Sequence, residues 1–408
     1  MKKYAMLLLA AVLSASCAGQ NKSVISPAPE AKKPLAVYGF RGDGTGMNTG
    51  AAPVTEWSEK KNVLWKTKIG NSYSSPVLSE DFVFALSEPG ILSCTDKKTG
   101  KILWERTTSP SDLPKEDMEK AKTYPSSCGL TTPTPVTDGT NVYLNLANGI
   151  VTCFDYSGSR KWIRVFDYEQ QNEYGRSSSP VLFAGKLLVT IDHIIALDPG
   201  TGKTLWDNID ARNDYATPAR LTVGKYDLAV LPDGTLLNIA DGTVALKVTG
   251  SLNYPSPLVL GDTIYFVGSR LSAVKVFIDE KGALKQELLW ADGIEGELCS
   301  TGLIYNGLIY AASNDGGFFV YDAKNGTKIN QEFIGEKINS PIYGGIVLAG
   351  KYIAFSNEAG KTCLANPGKK FDPVSVNELE GSSGSTPVFE GDKVYLRAGS
   401  YLYCIGAK

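Results

Sequence analysis

The sequence predicts an all-β protein, and three observations support that prediction. Short alternating runs rich in Val, Ile, Tyr and Leu recur along the chain, as at residues 141–144 and 393–396. Turn-forming pairs such as Asp138-Gly139 and Gly391-Asp392 stand before these runs. A Ser/Thr-Pro-apolar unit also returns along the chain with a mean spacing of about 44 residues. A period of that length with short strands is typical of propeller blades.

The repeated unit occurs eight times, which sets the expected number of blades. One copy lacks proline, Thr301-Gly302-Leu303. The other seven are Ser75-Pro76-Val77, Thr134-Pro135-Val136, Ser179-Pro180-Val181, Thr217-Pro218-Ala219, Ser256-Pro257-Leu258, Ser340-Pro341-Ile342 and Thr386-Pro387-Val388. In several copies of the repeat, the third strand ends at an aspartate, which is followed by a glycine and then a tryptophan. Asp155, Gly158 and Trp162 are one example. The glycine permits a left-handed turn, and the tryptophan offers a large apolar face to pack between neighbouring blades.

We therefore predict an eight-bladed β-propeller of four-stranded antiparallel blades, closed by the N-terminal strand. The last copy of the repeat stops at residues 403–405, after its third strand, whereas residues 63–66 look like an unattached fourth strand. If the N-terminal strand completes the last blade, the ring has no unpaired seam. One insertion, residues 106–127, lengthens the first interval, and its residues 113–123 predict a short helix on one face of the ring.

The amino terminus predicts export. Residues 1–17 contain Lys2 and Lys3, an apolar run over residues 5–13, and small residues before Cys17, a pattern that resembles a bacterial lipoprotein signal. Cys17 is then the lipidated residue, although an ordinary cleaved signal with a chance cysteine is the alternative. Residues 18–37 predict a flexible tether, and residues 38–408 a single propeller domain. The chain is therefore expected to be a membrane-anchored lipoprotein of the periplasm or cell surface.

Composition excludes several functions. The 408 residues include 41 basic and 43 acidic side chains, and this balance argues against a nucleic-acid partner. The single histidine, His193, nearly excludes a multi-histidine metal site, and no metal site is predicted. No Gly-x-Ser-x-Gly or His-Glu-x-x-His motif is present, so we predict no catalytic residue and lean against an enzyme.

The blade sequences resemble a known family. The Gly-Lys-x-Leu-Trp segments at residues 100–104 and 202–206 resemble the blade signature of the pyrroloquinoline-quinone-like (PQQ-like) β-propellers. Phe40-Arg41-Gly42, Glu56-Trp57 and residues 74–77 are similar to a secreted bacterial branch of that family, and the resemblance runs from about residue 38 to the end. The family includes quinoprotein alcohol dehydrogenases and a lipoprotein of the outer-membrane β-barrel assembly machinery, and its motifs specify fold better than activity.

The resemblance raises the question of a quinone cofactor. In quinoprotein dehydrogenases, the cofactor lies over the ring axis with a calcium ion, an arginine and a disulfide between adjacent cysteines. Here no two cysteines are adjacent and no segment matches the calcium or base motifs, so no cofactor is predicted. Four cysteines occupy the same position in the third strand of their repeats, and we predict that this position is buried and accepts only a small side chain. They are Cys94, Cys153, Cys363 and Cys404. Cys128 and Cys299 precede first strands, and a disulfide between them is left open.

A ligand site is expected at the mouth of the central channel, where loops on the rigid ring meet. Three arginines at one mouth would favour an anionic ligand, but we favour the alternative of a solvated polar rim, in which Asp315, Glu297 and Glu358 supply the counter-charges. We expect His193 to be a surface residue. From the loops entering the innermost strands, the candidates are Tyr73, Arg176, Asn213, Tyr215, Asn253, Glu297 and Asn339. From the loops joining second and third strands, they are His193, Arg270, Asp315, Glu358 and Arg397.

Together these patterns predict a non-catalytic binding or scaffold module of the cell envelope, with a protein or a glycan as ligand. Two alternatives are left open by the sequence. One is a PQQ- and calcium-dependent quinoprotein alcohol dehydrogenase. The other is an outer-membrane β-barrel assembly factor.

Overall fold

Eight sheets form the blades of a propeller, each built on four antiparallel strands, which confirms the predicted fold. The sheet of blade 7 has a fifth, parallel strand at its inner edge. The computed structural model describes residues 38–122, 127–170, 172, 174–293, 296–335, 338, 340–382 and 384–408. The predictions about the signal, Cys17 and the tether fall on residues 1–37 and lie outside the described residues. Within the described ranges, no helix is long and apolar enough to span a membrane.

The first four blades follow the chain without interruption, from the innermost strand to the outermost. Blade 1 contains Val77–Leu78, Phe82–Ser87, Ile91–Asp96 and Ile102–Thr107. Blade 2 contains Val136–Thr137, Asn141–Asn145, Ile150–Asp155 and Arg160–Val165. Blade 3 contains Val181–Phe183, Lys186–Thr190, His193–Leu197 and Thr204–Arg212. Blade 4 contains Ala219–Val223, Tyr226–Val230, Thr235–Asn238 and Val244–Lys247.

The second four blades complete the ring, and the last one takes its outer strand from the N-terminal region. Blade 5 contains Leu258–Leu260, Thr263–Val267, Arg270–Ile278 and Leu284–Gly293. Blade 6 contains Leu303–Tyr305, Leu308–Ala312, Gly317–Asp322 and Lys328–Phe333. Blade 7 contains Val347–Ala349, Tyr352–Ser356, Lys361–Asn366 and Asp372–Glu378. Blade 8 contains Val388–Glu390, Lys393–Ala398, Tyr401–Ile405 and Val63–Lys68.

The structure confirms the prediction that the N-terminal strand closes the ring. Val63–Lys68 runs antiparallel to Tyr401–Ile405, with Trp65 opposite Cys404 and Lys68 opposite Tyr401. The N-terminal region thereby covers the edge that blade 8 would otherwise expose.

Burial follows the position of a strand within its blade. Phe82–Ser87, a second strand, is buried at every residue but the first, whereas the outer strand Ile102–Thr107 is largely exposed. At five junctions, a tryptophan of one blade lies over a turn glycine of the next. At the junction of blades 2 and 3, Trp162 donates its indole N–H to the carbonyl of Pro199 at 2.8 Å. It covers Gly202, whose φ is +67°, and a Cβ on that glycine would lie 2.5 Å from the indole ring.

A ring of hydroxyl groups joins the blades around the channel, at the entrance to each innermost strand. The hydroxyl of one blade accepts the backbone N–H of the preceding blade, over distances of 2.8 to 3.1 Å. The residues at this position are Ser75, Thr134, Ser179, Thr217, Ser256, Thr301, Gly345 and Thr386. Blade 7 thus places a glycine where the other blades place a hydroxyl, so the series is interrupted between blades 6 and 7.

This arrangement corrects the sequence alignment of one repeat. Ser340-Pro341-Ile342 is not the entrance to the innermost strand of blade 7, because Gly345 occupies the equivalent position two residues before Val347–Ala349. The Ser-Pro pair lies five residues too early and belongs to the preceding loop. The helix predicted at residues 113–123 is present only as a short 3-10 segment, and residue 123 lies outside the described residues. The insertion forms two 3-10 turns, Pro110–Asp112 and Met118–Lys120.

The segment before the closing strand crosses the channel. Tyr38 pairs with Thr137 of blade 2 through two backbone hydrogen bonds, and Met47–Asn48 pairs with the innermost strand of blade 7 in a parallel register. Between these contacts, Arg41 donates from one guanidinium nitrogen to the carbonyls of Gly302 and Ile346, at 2.8 and 2.6 Å. Arg41 therefore joins blades 6 and 7 where the hydroxyl series is interrupted. We call residues 38–50 the plug.

Candidate functional site

A cavity of about 470 Å³ lies in the channel at the end where the chain enters the innermost strands, which we call the upper end. Two layers of eight equivalent positions supply most of its wall. The lower layer is the ring of hydroxyl groups with Gly345. The upper layer, two residues earlier in each repeat, consists of Tyr73, Thr132, Ser177, Tyr215, Tyr254, Cys299, Tyr343 and Gly384. Residues two apart in extended chain face the same side, so each repeat contributes both of its positions to one cavity.

Five tyrosines form two aromatic groups in this wall. Tyr174, Tyr215 and Tyr254 stand before blades 3, 4 and 5, with ring centroids 5.3 to 6.1 Å apart. Tyr73 and Tyr343 stand before blades 1 and 7, with centroids 6.2 Å apart and rings nearly perpendicular. Such offset and edge contacts are favourable for aromatic pairs. Both groups present ring surface to the cavity.

Two carboxylates, Glu297 and Glu358, are the charged side chains among the described lining residues. The hydroxyl of Tyr73 donates to Glu358 Oε1 at 3.3 Å. Burial, together with the negative charge of nearby Glu358, raises the pKa of Tyr343 to about 12. The pKa of Tyr254 is also raised, mainly by burial and to a smaller extent by the negative charge of Glu297. The hydroxyls of Tyr343 and Tyr254 are therefore neutral at physiological pH.

Two thiols also face the cavity. Cys128 and Cys299 precede blades 2 and 6, on opposite sides of the ring, and neither is in a disulfide. Asn314 donates its side-chain amide to Cys299 Sγ at 3.0 Å. Burial raises the pKa of both thiols, so both are protonated at neutral pH. The other four described cysteines are buried within the blades, as the sequence predicts.

The plug forms the floor of this cavity. Phe40 lines the upper cavity, whereas Tyr38, Gly39 and Gly42 line a second cavity of about 500 Å³ below it. The lower cavity is otherwise bordered by the innermost strands of blades 1 and 8. The plug therefore divides the channel into an upper and a lower compartment.

The structure brings four of the sequence candidates together in the upper cavity, namely Tyr73, Tyr215, Glu297 and Glu358. Asn253, Arg270 and Asp315 are exposed and lie outside its lining. Asn339 lies outside the described residues. The remaining four candidates are buried behind the wall: Arg176, His193, Asn213 and Arg397.

The three arginines do not converge on the channel mouth. Arg397 donates to the carbonyls of Leu86 and Gly70 at 2.6 and 2.7 Å, which ties blade 8 to blade 1. Arg176 donates to the carbonyls of Ala147 and Tyr168. Buried guanidinium groups need such acceptors, and these hydrogen bonds direct both side chains away from the cavity.

The expected surface position of His193 is also corrected. His193 begins the third strand of blade 3 and is fully buried. Its Nε2 lies 2.5 Å from an oxygen of Asp207, and its Nδ1 lies 3.2 Å from Asp192. Tyr168 contacts the ring edge-on at 4.6 Å between centroids. These contacts give the imidazole a structural role within blade 3.

Sequence reasoning missed the tyrosines Tyr174, Tyr254 and Tyr343, and the floor residue Phe40. The signal for Tyr254 and Tyr343 was present in the repeat. Each lies two residues before its ring position, as do Tyr73 and Tyr215. For Tyr343, the misplaced repeat copy at Ser340 concealed that spacing. Tyr174 and Phe40 come from a loop and the plug, and no repeat spacing identifies them.

Comparison with known proteins identifies the family. The model of the PQQ-like family described as outer membrane protein assembly factor BamB matches residues 45–106, 59–222 and 192–408. The chain belongs to this family. No curated protein sequence matches the chain.

Solved structures show the BamB-family fold. The crystal structure of BamB from Moraxella catarrhalis is 15% identical, with a TM-score of 0.60 over 84% of this chain and 99% of that chain. The computationally designed Ika8 protein is 12% identical, with a TM-score of 0.59 over 85% of this chain and 99% of that chain. A quinohemoprotein alcohol dehydrogenase from Comamonas testosteroni is 11% identical, with a TM-score of 0.40 over 88% of this chain and 79% of that chain. The first two likenesses show the fold, and the third is too distant to bear on function.

Proposed function

We propose that this protein is a non-catalytic binding module of the bacterial cell envelope, which receives part of a glycan or protein ligand in the upper cavity. The single observation that carries the proposal is the cavity itself. It is walled by five tyrosines and floored by Phe40. The surrounding blades are joined by the hydroxyl series and, between blades 6 and 7, by Arg41. Aromatic walls bind sugars and peptide side chains through large apolar contacts at low conformational cost.

The envelope location rests on the N-terminal sequence and on the family. Residues 1–17 carry the pattern of a lipoprotein signal with Cys17 as the lipidated residue. The family model is described as an outer membrane protein assembly factor. We propose that the propeller is held at a membrane by a lipid on Cys17 and by the tether, residues 18–37.

The residues of the channel do not fit the quinone that gives the PQQ-like propellers their name. Pyrroloquinoline quinone carries three carboxyl groups, and the cavity presents Glu297 and Glu358 to a ligand without a lining cation among the described residues. Like charges brought together in a partly buried site are unfavourable. The described residues also contain no group of three Cys, His, Asp or Glu side chains placed to hold a metal ion. We therefore propose no quinone chemistry.

Alkylation of the two cavity thiols tests the proposal. Purified protein lacking residues 1–17 is treated with iodoacetamide, alone and with muropeptides from digested cell wall or with unstructured peptides. Modification is followed by mass spectrometry. A ligand in the cavity should slow alkylation of Cys128 and Cys299, while the four buried cysteines provide an internal control for unfolding.

A pair of variants shows whether protection arises in the cavity. Tyr215→Ala combined with Tyr254→Ala should weaken binding about tenfold, because two aromatic contacts are lost. Phe333→Ala removes an aromatic side chain exposed on the outer strand of blade 6 and should leave binding unchanged. The proposal fails if neither ligand class slows alkylation, or if the tyrosine variant protects as well as the wild type.

The assembly-factor function is the second candidate, and the family match favours it. Such a factor would engage a protein partner with the loops around the cavity mouth. A photocrosslinking residue at exposed Asn253 would test this in cells. An adduct with a component of the barrel-assembly machinery supports this function, and crosslinking only to other envelope proteins argues against it.

A further inference from the structure

We propose that the upper cavity recognises an alkylammonium group, so that the ligand is an amine-bearing glycan or peptide. This inference rests on the proposed binding function and specifies the chemistry of the ligand. It follows from the carboxylates that line the cavity, from the arrangement of the tyrosines, and from the positions of the buried arginines outside the cavity lining.

The cavity surface carries two carboxylates that no ion pair within the described residues neutralises. Glu297 and Glu358 both line the cavity, and no ion pair joins either of them to a Lys, Arg or His in the described ranges. A cationic ligand would supply the missing partner. At Glu358, which is partly buried, such a pair is stronger than on the open surface, whereas Glu297 is exposed and contributes less.

The tyrosines reinforce this preference. Glu297 follows blade 5 and acts on Tyr254 of the three-membered group, whereas Glu358 accepts the hydroxyl hydrogen bond of Tyr73 in the second group. Each aromatic group therefore has one carboxylate beside it. The face of an aromatic ring attracts an ammonium group, and a carboxylate beside the ring adds a charge of the opposite sign to the ligand's.

The buried arginines do not reverse this pattern at the cavity surface. Arg41 lies behind Gly345 and donates to two backbone carbonyls. Burial lowers the pKa of its guanidinium to about 10, and the nearby Asp43 acts in the opposite direction. Arg176 and Arg397 also donate to carbonyls behind the wall. None of the three lines the cavity, so a ligand contacts carboxylate and aromatic groups rather than guanidinium groups.

Matched pairs of probes, which differ in charge at one nitrogen, test the inference by isothermal titration calorimetry. For a glycan source, glucosamine is compared with N-acetylglucosamine. For a peptide source, Nα-acetyl-lysine amide is compared with its Nε-acetylated form. All titrations are made at slightly acidic pH, where the amines are protonated. The charged member of at least one pair should bind about tenfold more tightly than its neutral partner, and that pair identifies the source.

The double variant Glu297→Gln with Glu358→Gln should reduce that preference to about twofold, because the amides keep the shape of the wall but not its charge. Glu287→Gln changes an exposed carboxylate on the outer strand of blade 5 and should leave the preference unchanged. Equal or tighter binding of the neutral members, lost in the Tyr215→Ala, Tyr254→Ala variant, would overturn the inference and retain the binding function. Absence of binding by both pairs would overturn the inference, while the alkylation experiment decides the binding function separately.

Discussion

Two junctions of the ring, between blades 2 and 3 and between blades 6 and 7, hold their neighbours together by different means. At the first, Thr134 donates its backbone N–H to the hydroxyl of Ser179 at 3.0 Å, and Trp162 covers the turn glycine of blade 3. At the second, Gly345 has no hydroxyl to offer, and Asn330 takes the place of the tryptophan. Both devices of the repeat are absent there.

The junction of blades 6 and 7 replaces them with contacts from elsewhere. Arg41 of the plug donates to a carbonyl on each blade, at 2.8 and 2.6 Å. Phe371, in the turn before the outer strand of blade 7, lies 4.9 Å from Phe318 of blade 6 between ring centroids. A repeat can therefore lose the contacts of its own sequence motif where residues from another part of the chain provide equivalent ones.

The largest expected effect is the loss of the tryptophan at the regular junction. Trp162→Ala should lower the free energy of unfolding by about 4 kcal/mol, because it leaves a cavity beside Gly202 and an unpaired carbonyl. Asn330→Ala, at the equivalent place in blade 6, should cost less than about 1 kcal/mol. Urea unfolding followed by circular dichroism measures both. Equal losses in the two variants would show that the junctions are more alike than their contacts indicate.

The next largest effect is expected from the loss of Arg41, which joins blades 6 and 7. Arg41→Ala should cost about 3 kcal/mol in thermal unfolding, because two buried carbonyls lose a charged donor. Arg41→Lys should recover only part of this loss, since an ammonium lacks the planar shape that reaches both carbonyls. A cost below about 1 kcal/mol for Arg41→Ala would mean that the phenylalanine contacts alone hold blades 6 and 7 together.

A double-mutant cycle tests whether the hydroxyl found at the other junctions can replace Arg41 between blades 6 and 7. Gly345→Ser alone should destabilise the protein, because a Cβ there would lie 2.9 Å from Arg41 Nε. In the Arg41→Ala background the same change should stabilise, since the clash is gone and a hydroxyl is supplied for the N–H of Thr301. We expect a coupling of about 1–2 kcal/mol between the two positions. Additive effects would contradict the substitution of one contact for the other.

The smallest effect is that of a single hydroxyl in the ring. Ser179→Ala should cost about 1 kcal/mol, because the N–H of Thr134 loses its acceptor in a buried place. Hydrogen exchange at the Thr134 amide should quicken in this variant, whereas Ser179→Thr, which keeps the hydroxyl, should retain protection. Unchanged exchange in Ser179→Ala would show that the hydroxyl ring does not contribute to the junctions.

The sequence was most informative where the repeat acts locally. Blade number, the closing strand and the buried cysteines follow from spacing and residue type, and Tyr73 and Tyr215 follow from their place before the repeat. His193 and Arg397 were misplaced because they lie at strand ends, where a shift of one residue changes a loop position into a buried one. The role of Arg41 was inaccessible, since its acceptor carbonyls lie 261 and 305 residues away in the chain.

The plug has a further consequence for how a ligand enters and leaves. Because Phe40 of the plug lies between the upper and the lower cavity, the described part of the channel is divided into two compartments. A long polymer cannot thread through the ring and can insert only an end or a side branch. Recognition there depends on the chemistry of that end or branch rather than on the length of the polymer.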